Sequence, residues 1–112
     1  MLKKEILRKK SDFDAIYRAG ESVPDRYVVL FYRKNDLPYT KTAFLASKKV
    51  GNSVQRNRAK RLMRESYRLN EDRFSAGYDL IFIARNTIEG KKLKDVEKSL
   101  MNAAARGKVT GK

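Results

Sequence analysis

Residues 54–68 constrain the fold of this chain more than any other segment. On an α-helix, where successive side chains turn by about 100°, the small and apolar residues of this segment and of the next position gather on one side: Ala59, Leu62, Met63, Ser66 and Leu69. Polar residues gather on nearly the opposite side: Asn57, Lys60, Arg61, Arg64 and Arg68. Such a helix packs its first side on a core and leaves the second at the surface. We therefore predict a surface helix over about residues 53–70, with Asn52 or Ser53 as its N-cap.

The polar side of this helix carries four positive charges that no acidic residue relieves, because the helical pattern points Glu65 elsewhere. Like charges three or four positions apart destabilise an isolated helix by roughly 0.2–0.5 kcal/mol per pair. One interpretation is an ordinary solvated surface. We favour a second one, in which a polyanion supplies the missing charge, because a guanidinium group can donate two hydrogen bonds to one phosphate.

The charge of the whole chain also indicates a polyanionic partner. Its 112 residues include 27 Lys and Arg against 13 Asp and Glu, a net charge of +14, and residues 37–64 contain no acid. The candidates are DNA, RNA, an anionic membrane surface and an acidic protein. The absence of Cys and His excludes disulfides, thiolate zinc sites, cysteine nucleophiles and the commonest general base.

The pattern outside the long helix predicts an α+β fold. A first helix over about residues 11–19 would be capped by Ser11 and Asp14 and ended by Gly20. We predict two strands over residues 27–33 and 42–47 that pair as a hairpin, and a buried central strand over residues 78–84. A short strand around Val23 and a last helix over residues 93–105 complete the set. The result is a single-domain sandwich of a small, mostly antiparallel sheet of about four strands with three helices, in the order α-β-β-β-α-β-α.

Several smaller segments complete the organisation of the chain. Lys48 and Lys49 precede the long helix and could meet phosphates near its N-terminus, whose dipole favours anions. We interpret residues 1–10 as a basic N-terminal extension and residues 107–112 as a flexible tail of one single domain. No apolar run approaches the roughly 20 residues of a membrane span, so we expect the protein in the cytoplasm.

Aromatic residues form a second candidate feature. Phe13 and Tyr17 share one face of the first helix, and Phe31 alternates with Tyr27 and Val29 on one side of a strand. Exposed aromatic side chains beside basic residues stack unpaired bases, whereas a small domain needs its aromatic residues in the core. The pattern alone favours the core.

Residues 47–65, SKKVGNSVQRNRAKRLMRE, resemble the signature region of the bacterial ribonuclease P protein subunit. The hallmark is an Arg-Asn-Arg run, here residues 56–58, followed by an apolar residue, a basic pair and further Arg. A basic N-terminus before a Gly-ended helix and an apolar strand ending in Ala84-Arg85 are similar to the family's flanking segments. The resemblance covers about residues 3–105.

This resemblance implies a fold and a function. The fold would be similar to one domain of a small-subunit ribosomal protein, with a left-handed crossover where general handedness rules predict a right-handed one. The chain would be the protein subunit of a ribonucleoprotein whose large RNA, with bound magnesium ions, removes the 5′ leader of precursor tRNA. The protein would hold no catalytic residue and no tightly bound cofactor. Its partners would be that RNA and precursor tRNA, with no membrane and no obligate protein partner.

The resemblance also assigns residues to these roles. Those facing the catalytic RNA would be Lys48, Lys49, Arg56, Asn57, Arg58, Lys60, Arg61, Arg64 and Arg68. Phe13, Tyr17 and Phe31 would line the cleft for the single-stranded leader, which shifts their interpretation from core toward ligand contact. Tyr17 and Phe31 stand where the family is associated with Phe and Tyr respectively, and Ala59 stands where a larger aliphatic residue is common.

Other functions share some of these features. A ribosomal or other RNA-binding protein would have the same size, charge and fold class. A protein nuclease could use Glu65, Glu71 and Asp72 with a metal ion, although carboxylates in a mixed-charge stretch are usually solvated surface. A helix-in-groove DNA-binding protein normally presents its helix from a compact helical unit, which the strands here oppose. An anionic-membrane role would need the apolar side of the long helix, which the core requires.

Overall fold

A computed structural model describes residues 6–111 of the chain. Its helices and strands follow in the order α1 (Lys10–Ala19), β1 (Glu21–Pro24), β2 (Val28–Lys34), β3 (Lys41–Ala46), α2 (Ser53–Leu69), β4 (Tyr78–Ala84) and α3 (Leu93–Arg106). Short 3-10 turns lie at Lys48–Val50, Glu71–Arg73 and Asn86–Ile88. The predicted α+β class and element order are confirmed.

The strands form one mixed sheet in the order β1-β2-β4-β3. The β1–β2 and β2–β4 pairs are antiparallel, whereas β3 and β4 are parallel. The predicted hairpin between β2 and β3 is therefore wrong, because β4 lies between them. The backbone after β2 continues to pair with the segment next to β4 instead. The Asn35 N–H donates at 2.9 Å to the carbonyl of Gly77, which immediately precedes β4. The parallel strands β3 and β4 are connected through α2, and this connection is the crossover that the resemblance implies to be left-handed. Its handedness stays a prediction.

Helices cover both faces of this sheet. Side chains alternate along a strand, so Leu80 and Phe82 of β4 face the core under α2 and α3. Ile81 faces the opposite side, where it packs with Ile16 of α1 and with Leu7 in a smaller cluster. The central place predicted for β4 is confirmed, because its residues are buried on both faces. The face under α1 is covered only in part, which leaves apolar side chains half-exposed beside that helix.

The helix ends show one difference from expectation and two agreements with it. Ser11 does not cap α1; it lies inside the helix, and Lys9 occupies the N-cap position without a side-chain bond. Asn52 caps α2 through a reciprocal capping box with Gln55, in which the two hydrogen bonds measure 2.8 and 2.9 Å. Gly20 ends α1 as predicted, and a side chain there would meet the backbone oxygens of Ile16 and Tyr32 at 2.5 and 2.6 Å.

The two terminal segments pack against the body of the protein. In the N-terminal extension, residues 1–5 lie outside the described part, while Leu7 is buried and its N–H donates to Thr42 of β3. The prediction of a flexible tail is wrong for residues 107–110, because Val109 is fully buried and Thr110 forms a β-bridge with Phe74. Within residues 6–111, no helix has the length and hydropathy to cross a membrane.

Candidate nucleic-acid interface

The polar side of α2 lies at the surface, as its periodicity predicts. We call it the basic face; it consists of Asn57, Lys60, Arg61, Arg64 and Arg68, all exposed except the half-buried Lys60. The opposite side is buried at Ala59, Met63 and Ser66. Leu69 was predicted in that stripe but is 48% exposed. Tyr67 is buried instead, because its ring packs on Phe74 with a centroid separation of 4.7 Å.

One acidic residue does relieve the basic face, contrary to the sequence prediction. Glu65 accepts hydrogen bonds from the guanidinium of Arg68, one turn later on α2. The hydrogen bond from Arg68 lowers the pKa of Glu65, and the same bond raises the pKa of Arg68. The charges at Arg61 and Arg64 have no such partner among the described residues, so the uncompensated part of the face lies on its first three turns.

The side chains of the Arg-Asn-Arg run point in different directions. Asn57 is exposed on the basic face, and Arg56 is half-buried with its guanidinium 3.2 Å from the Ser53 hydroxyl. Arg58 points toward α3, where its guanidinium donates to the backbone carbonyl of Lys91 at 2.8 Å. The three residues therefore do not share one surface, although all three belong to the predicted RNA-binding set.

Lys48 and Lys49 lie where the sequence predicts, immediately before α2. Both are exposed in the 3-10 turn Lys48–Val50, which the Ser47 hydroxyl caps by accepting from the Lys49 N–H. The N-cap Asn52 follows within the same bend. These lysines therefore add exposed positive charge immediately before the N-terminus of α2.

The basic face joins the other side of the sheet around the edge strand β3. The Arg64 guanidinium carbon lies 5.8 Å from the centre of the Phe44 ring, above this strand. Arg64 and Arg68 line a cavity of about 410 Å³ together with Phe13 and Leu45, which belong to the far face of the sheet. Ile6 and Leu7 of the N-terminal segment pair with Thr42 of β3 and also line this cavity, which is therefore where residues of the two surfaces meet.

The predicted aromatic residues meet on the partly covered face of the sheet. Phe13 and Phe31 are half-buried, and Tyr17 is 44% exposed. Tyr17 packs edge-on against Phe31, with ring centroids 5.1 Å apart. Partial burial raises the pKa of the Tyr17 hydroxyl above its ordinary value. Phe13 and Phe31 thus serve a small core and still present surface to a ligand.

Sequence reasoning missed the apolar surface that surrounds these rings. We call it the open face; it consists of Val29, Phe31, Leu45 and Ile83, all half-exposed on the α1 side of the sheet. Alternation along each strand was the available signal, because Val29 shares a face with Phe31. Which residues of the neighbouring strands complete this surface depends on the order of the strands. The predicted pairing of β2 with β3 was wrong, so Ile83 of β4 could not be placed beside Val29.

A buried charged cluster at one end of the open face was also missed. Asp79 is 1% exposed and accepts from Arg33 Nε at 3.2 Å and from Asn35 Nδ2 at 2.9 Å. Arg33 also lies 3.8 Å from Asp12 of α1, which in turn lies 3.7 Å from Lys41 of β3. These contacts hold the start of α1 against the sheet and so help to set the boundary of the open face.

The carboxylates of the nuclease hypothesis do not form a metal site in this structure. Glu65 is bonded to Arg68, Glu71 lines the cavity at β3, and Asp72 is exposed. Residues 6–111 contain no cluster of three or more Asp and Glu side chains able to share a metal ion. The arrangement offers exposed positive charge and accessible aromatic surface, which suit a polyanion.

Comparison with known proteins finds similarity along nearly the whole chain. A family model described as Ribonuclease P matches residues 1–108. The Ribonuclease P protein component of Clostridium botulinum (strain Loch Maree / Type A3) is 47% identical over 102 residues, 90% of this chain and 92% of that protein. The solved RNase P protein of Staphylococcus aureus has a TM-score of 0.86 at 30% identity, covering 96% of this chain and 98% of that one. The RNase P protein of Thermotoga maritima has a TM-score of 0.83 at 31% identity, covering 91% and 96%.

Proposed function

Because the chain belongs to the ribonuclease P protein family, we propose that it is the protein subunit of a cytoplasmic ribonucleoprotein that removes the 5′ leader of precursor tRNA. The observation that carries this proposal is the cavity beside β3, which Arg64 and Arg68 of the basic face line together with Phe13 and with Leu45 of the open face. The first surface suits folded RNA and the second suits unpaired nucleotides.

The catalytic RNA is the proposed partner of the basic residues on and before α2. Exposed guanidinium and ammonium groups bind its phosphates and release counterions, so the affinity falls steeply with salt. If about six phosphates are contacted, the logarithm of the affinity falls by roughly 4 to 5 per tenfold increase in salt. Asn57 adds a neutral donor and acceptor for a base edge or a 2′-hydroxyl.

The leader is the proposed ligand of the open face. Phe13, Tyr17 and Phe31 stack its unpaired bases, and each stacked base contributes about 1–3 kcal/mol. The accessible surface of Tyr17 and of the half-buried Phe31 supports this role. The two rings meet edge to face, which leaves ring surface on which a base can stack. The protein thus tightens the binding of precursor tRNA over mature tRNA, which lacks the leader.

Catalysis is proposed to lie in the RNA, which would hold the magnesium ions that the reaction requires. The described residues of this chain offer no carboxylate cluster for such an ion, so we derive no step through a protein-bound metal. The contribution of the chain is to bind the RNA and to hold the leader in an extended path on the sheet.

A reconstitution tests the proposal. The chain is mixed with ribonuclease P RNA of Clostridium botulinum and 5′-labelled precursor tRNA at low millimolar magnesium, beside protein-only and RNA-only controls. We expect efficient cleavage at the mature 5′ end only when both components are present. Cleavage by protein freed of RNA would identify a protein nuclease. Binding to several RNAs without stimulated cleavage would identify a ribosomal type of RNA-binding protein.

A further inference from the structure

The cavity beside β3 exists because the N-terminal segment covers only the start of this edge strand. Ile6 and Leu7 meet β3 at Thr42, and within residues 6–111 no other segment pairs with the outer edge of the strand, which continues to Ala46. Residues 42–45 line the cavity along this edge. Its volume of about 410 Å³ lies in the range of about 300–1,000 Å³ that is typical of small-ligand sites.

Most of the cavity wall is apolar, and it comes from both faces of the sheet. Phe44 packs against the core under α2, whereas Phe13 and Leu45 pack in the cluster on the α1 side. All three side chains are half-buried and so keep accessible surface. Unpaired bases stack on aromatic side chains, and these walls therefore suit the flat faces of a base.

Two of the three charged residues of the cavity are arginines of the basic face. The Arg64 guanidinium carbon lies 5.8 Å from the centre of the Phe44 ring and has no ion pair among residues 6–111. Arg68 is hydrogen-bonded to Glu65, but a guanidinium has five donors, so this contact leaves donors for a phosphate. A nucleotide whose base enters the cavity can therefore place its phosphate against these two side chains.

The third charged residue is Glu71, and its carboxylate repels phosphate. Glu71 is half-buried in the 3-10 turn that follows α2, and its side chain makes no hydrogen bond or ion pair with any residue of the described range 6–111. An ionised carboxylate only accepts hydrogen bonds, so its ligand must present donors. Guanine carries two adjacent donors, N1–H and the N2 amino group, which match the two carboxylate oxygens. The other three bases carry a single donor group on this edge, next to acceptors that a carboxylate repels.

We propose that this cavity binds one unpaired guanine of the leader and that Glu71 selects it by accepting hydrogen bonds from N1–H and the N2 amino group. This inference rests on the proposed function and adds a base preference to it. The leader is favoured over the catalytic RNA because Phe13 and Leu45 join the cavity to the open face, where the leader is proposed to lie. The proposal also gives a role to an acidic side chain that stands beside the basic face without a partner in residues 6–111.

The test measures the affinity of the holoenzyme, reconstituted with ribonuclease P RNA of Clostridium botulinum, for precursor tRNAs that differ at one leader position. Guanosine, inosine or adenosine is placed at each leader position in turn. At one position, guanosine should bind about tenfold more tightly than inosine, which lacks only the N2 amino group, because a hydrogen bond to a charged group contributes roughly this factor. Adenosine should bind more weakly still. The RNA without the protein should not show this preference.

Two variants with the same change in charge identify the residue that causes the preference. Glu71→Gln keeps the size of the side chain but loses one of the two acceptors, so it should reduce the ratio of guanosine to inosine affinity to about one to threefold. Asp72→Asn removes a carboxylate from the next, exposed position of the same 3-10 turn and should keep the preference. Thermal unfolding of both variants verifies that they fold.

The outcomes separate the failure of this inference from that of the proposed function. If the unmodified chain does not stimulate cleavage, the proposed function is wrong and this inference falls with it. If it stimulates cleavage but no leader position shows a guanosine preference, or if Glu71→Gln and Asp72→Asn retain the preference equally, only this inference is wrong. A change of affinity for the catalytic RNA in Glu71→Gln alone, without a leader preference, would place a base of that RNA in the cavity and also overturn the proposal.

Discussion

Tyr17 stands edge-on to Phe31, with an angle of 83° between the ring planes and 5.1 Å between their centroids. Tyr17 belongs to α1 and Phe31 to β2, so this contact spans the boundary between the helix and the open face. Edge-to-face pairs contribute about 0.5–1.5 kcal/mol beyond the area that they bury. The pair therefore holds both rings in place and leaves much of Tyr17 accessible.

Replacing Tyr17 should weaken the binding of precursor tRNA selectively. Tyr17→Ala removes one stacking surface, so the reconstituted holoenzyme should bind precursor tRNA about tenfold more weakly, which corresponds to about 1.4 kcal/mol of a stacked base. Binding of mature tRNA should not change. Tyr17→Phe is the matched control, because it keeps the ring and loses only the hydroxyl. An equal loss for both tRNAs would contradict the placement of the leader on this face.

Phe13 tests whether one residue serves both the small core and the ligand. Phe13→Ala should cost about 1–2 kcal/mol of stability, less than a fully buried Phe, because the side chain is half-buried. It should also weaken the binding of precursor tRNA more than that of mature tRNA. The measurements are urea unfolding of the free chain and tRNA binding by the holoenzyme. A chain that no longer folds would show that Phe13 is primarily a core residue.

The helices and the central strand were predictable because their signals are local. The 3.6-residue period separates the basic face from Ala59 and Met63, and the unbroken apolar run of β4 marks a strand covered on both faces. The lysines before α2 also lie where the pattern places them. Each of these conclusions needs only side chains within a few turns of one another.

The parts that could not be predicted depend on contacts between distant segments. The order of the strands follows from the insertion of β4 between β2 and β3. The residues of the turn after β2 do not indicate this insertion. Arg33 and Asp79 are 46 positions apart, and Arg58 meets a backbone carbonyl, a group that every residue carries. The Glu65–Arg68 pair is local, and its spacing of three residues on a helix was an available signal that the assignment of Glu65 to another side of the helix overlooked.

Glu65 should weaken the binding of RNA, because it occupies the guanidinium of Arg68. Glu65→Gln removes a negative charge beside the basic face and frees Arg68 for phosphate. We expect severalfold tighter binding to the catalytic RNA at fixed salt, and a steeper salt dependence by about one. Glu21→Gln, which removes an acid paired with Tyr32 in β1 and β2, is the matched control. Equal effects of the two variants would show that only the net charge matters.

The Arg33–Asp79 pair should contribute strongly to stability. Arg33→Met removes the charged partner of the buried Asp79 carboxylate, which keeps its hydrogen bond from the neutral Asn35, and removing one partner of a buried pair costs about 3–5 kcal/mol. We expect the lower end of this range, because Arg33 is itself partly exposed. The double variant Arg33→Met/Asp79→Asn should recover part of the loss in urea unfolding. If the double variant were as unstable as the sum of the two single variants, the charges would not be coupled.

Asp25 should make the stability of the fold sensitive to acid. Burial alone would raise its pKa, but hydrogen bonds from the Ser99 hydroxyl, the Arg26 backbone and Arg106 outweigh burial and hold the pKa below the ordinary value of 3.8. The hydroxyl and the guanidinium each lie 2.6 Å from a carboxylate oxygen. Because the pKa is lower in the folded state, ionised Asp25 stabilises the fold above about pH 4, and this contribution is lost as the pH falls through the folded value.

The difference in Tm between the unmodified chain and Asp25→Asn should therefore be largest near neutral pH and shrink in acid. Asp14→Asn, which removes an exposed carboxylate of α1, shows the effect of one lost negative charge in so basic a chain. A difference for Asp25→Asn that stayed constant from about pH 6 to about pH 2 would contradict the lowered pKa.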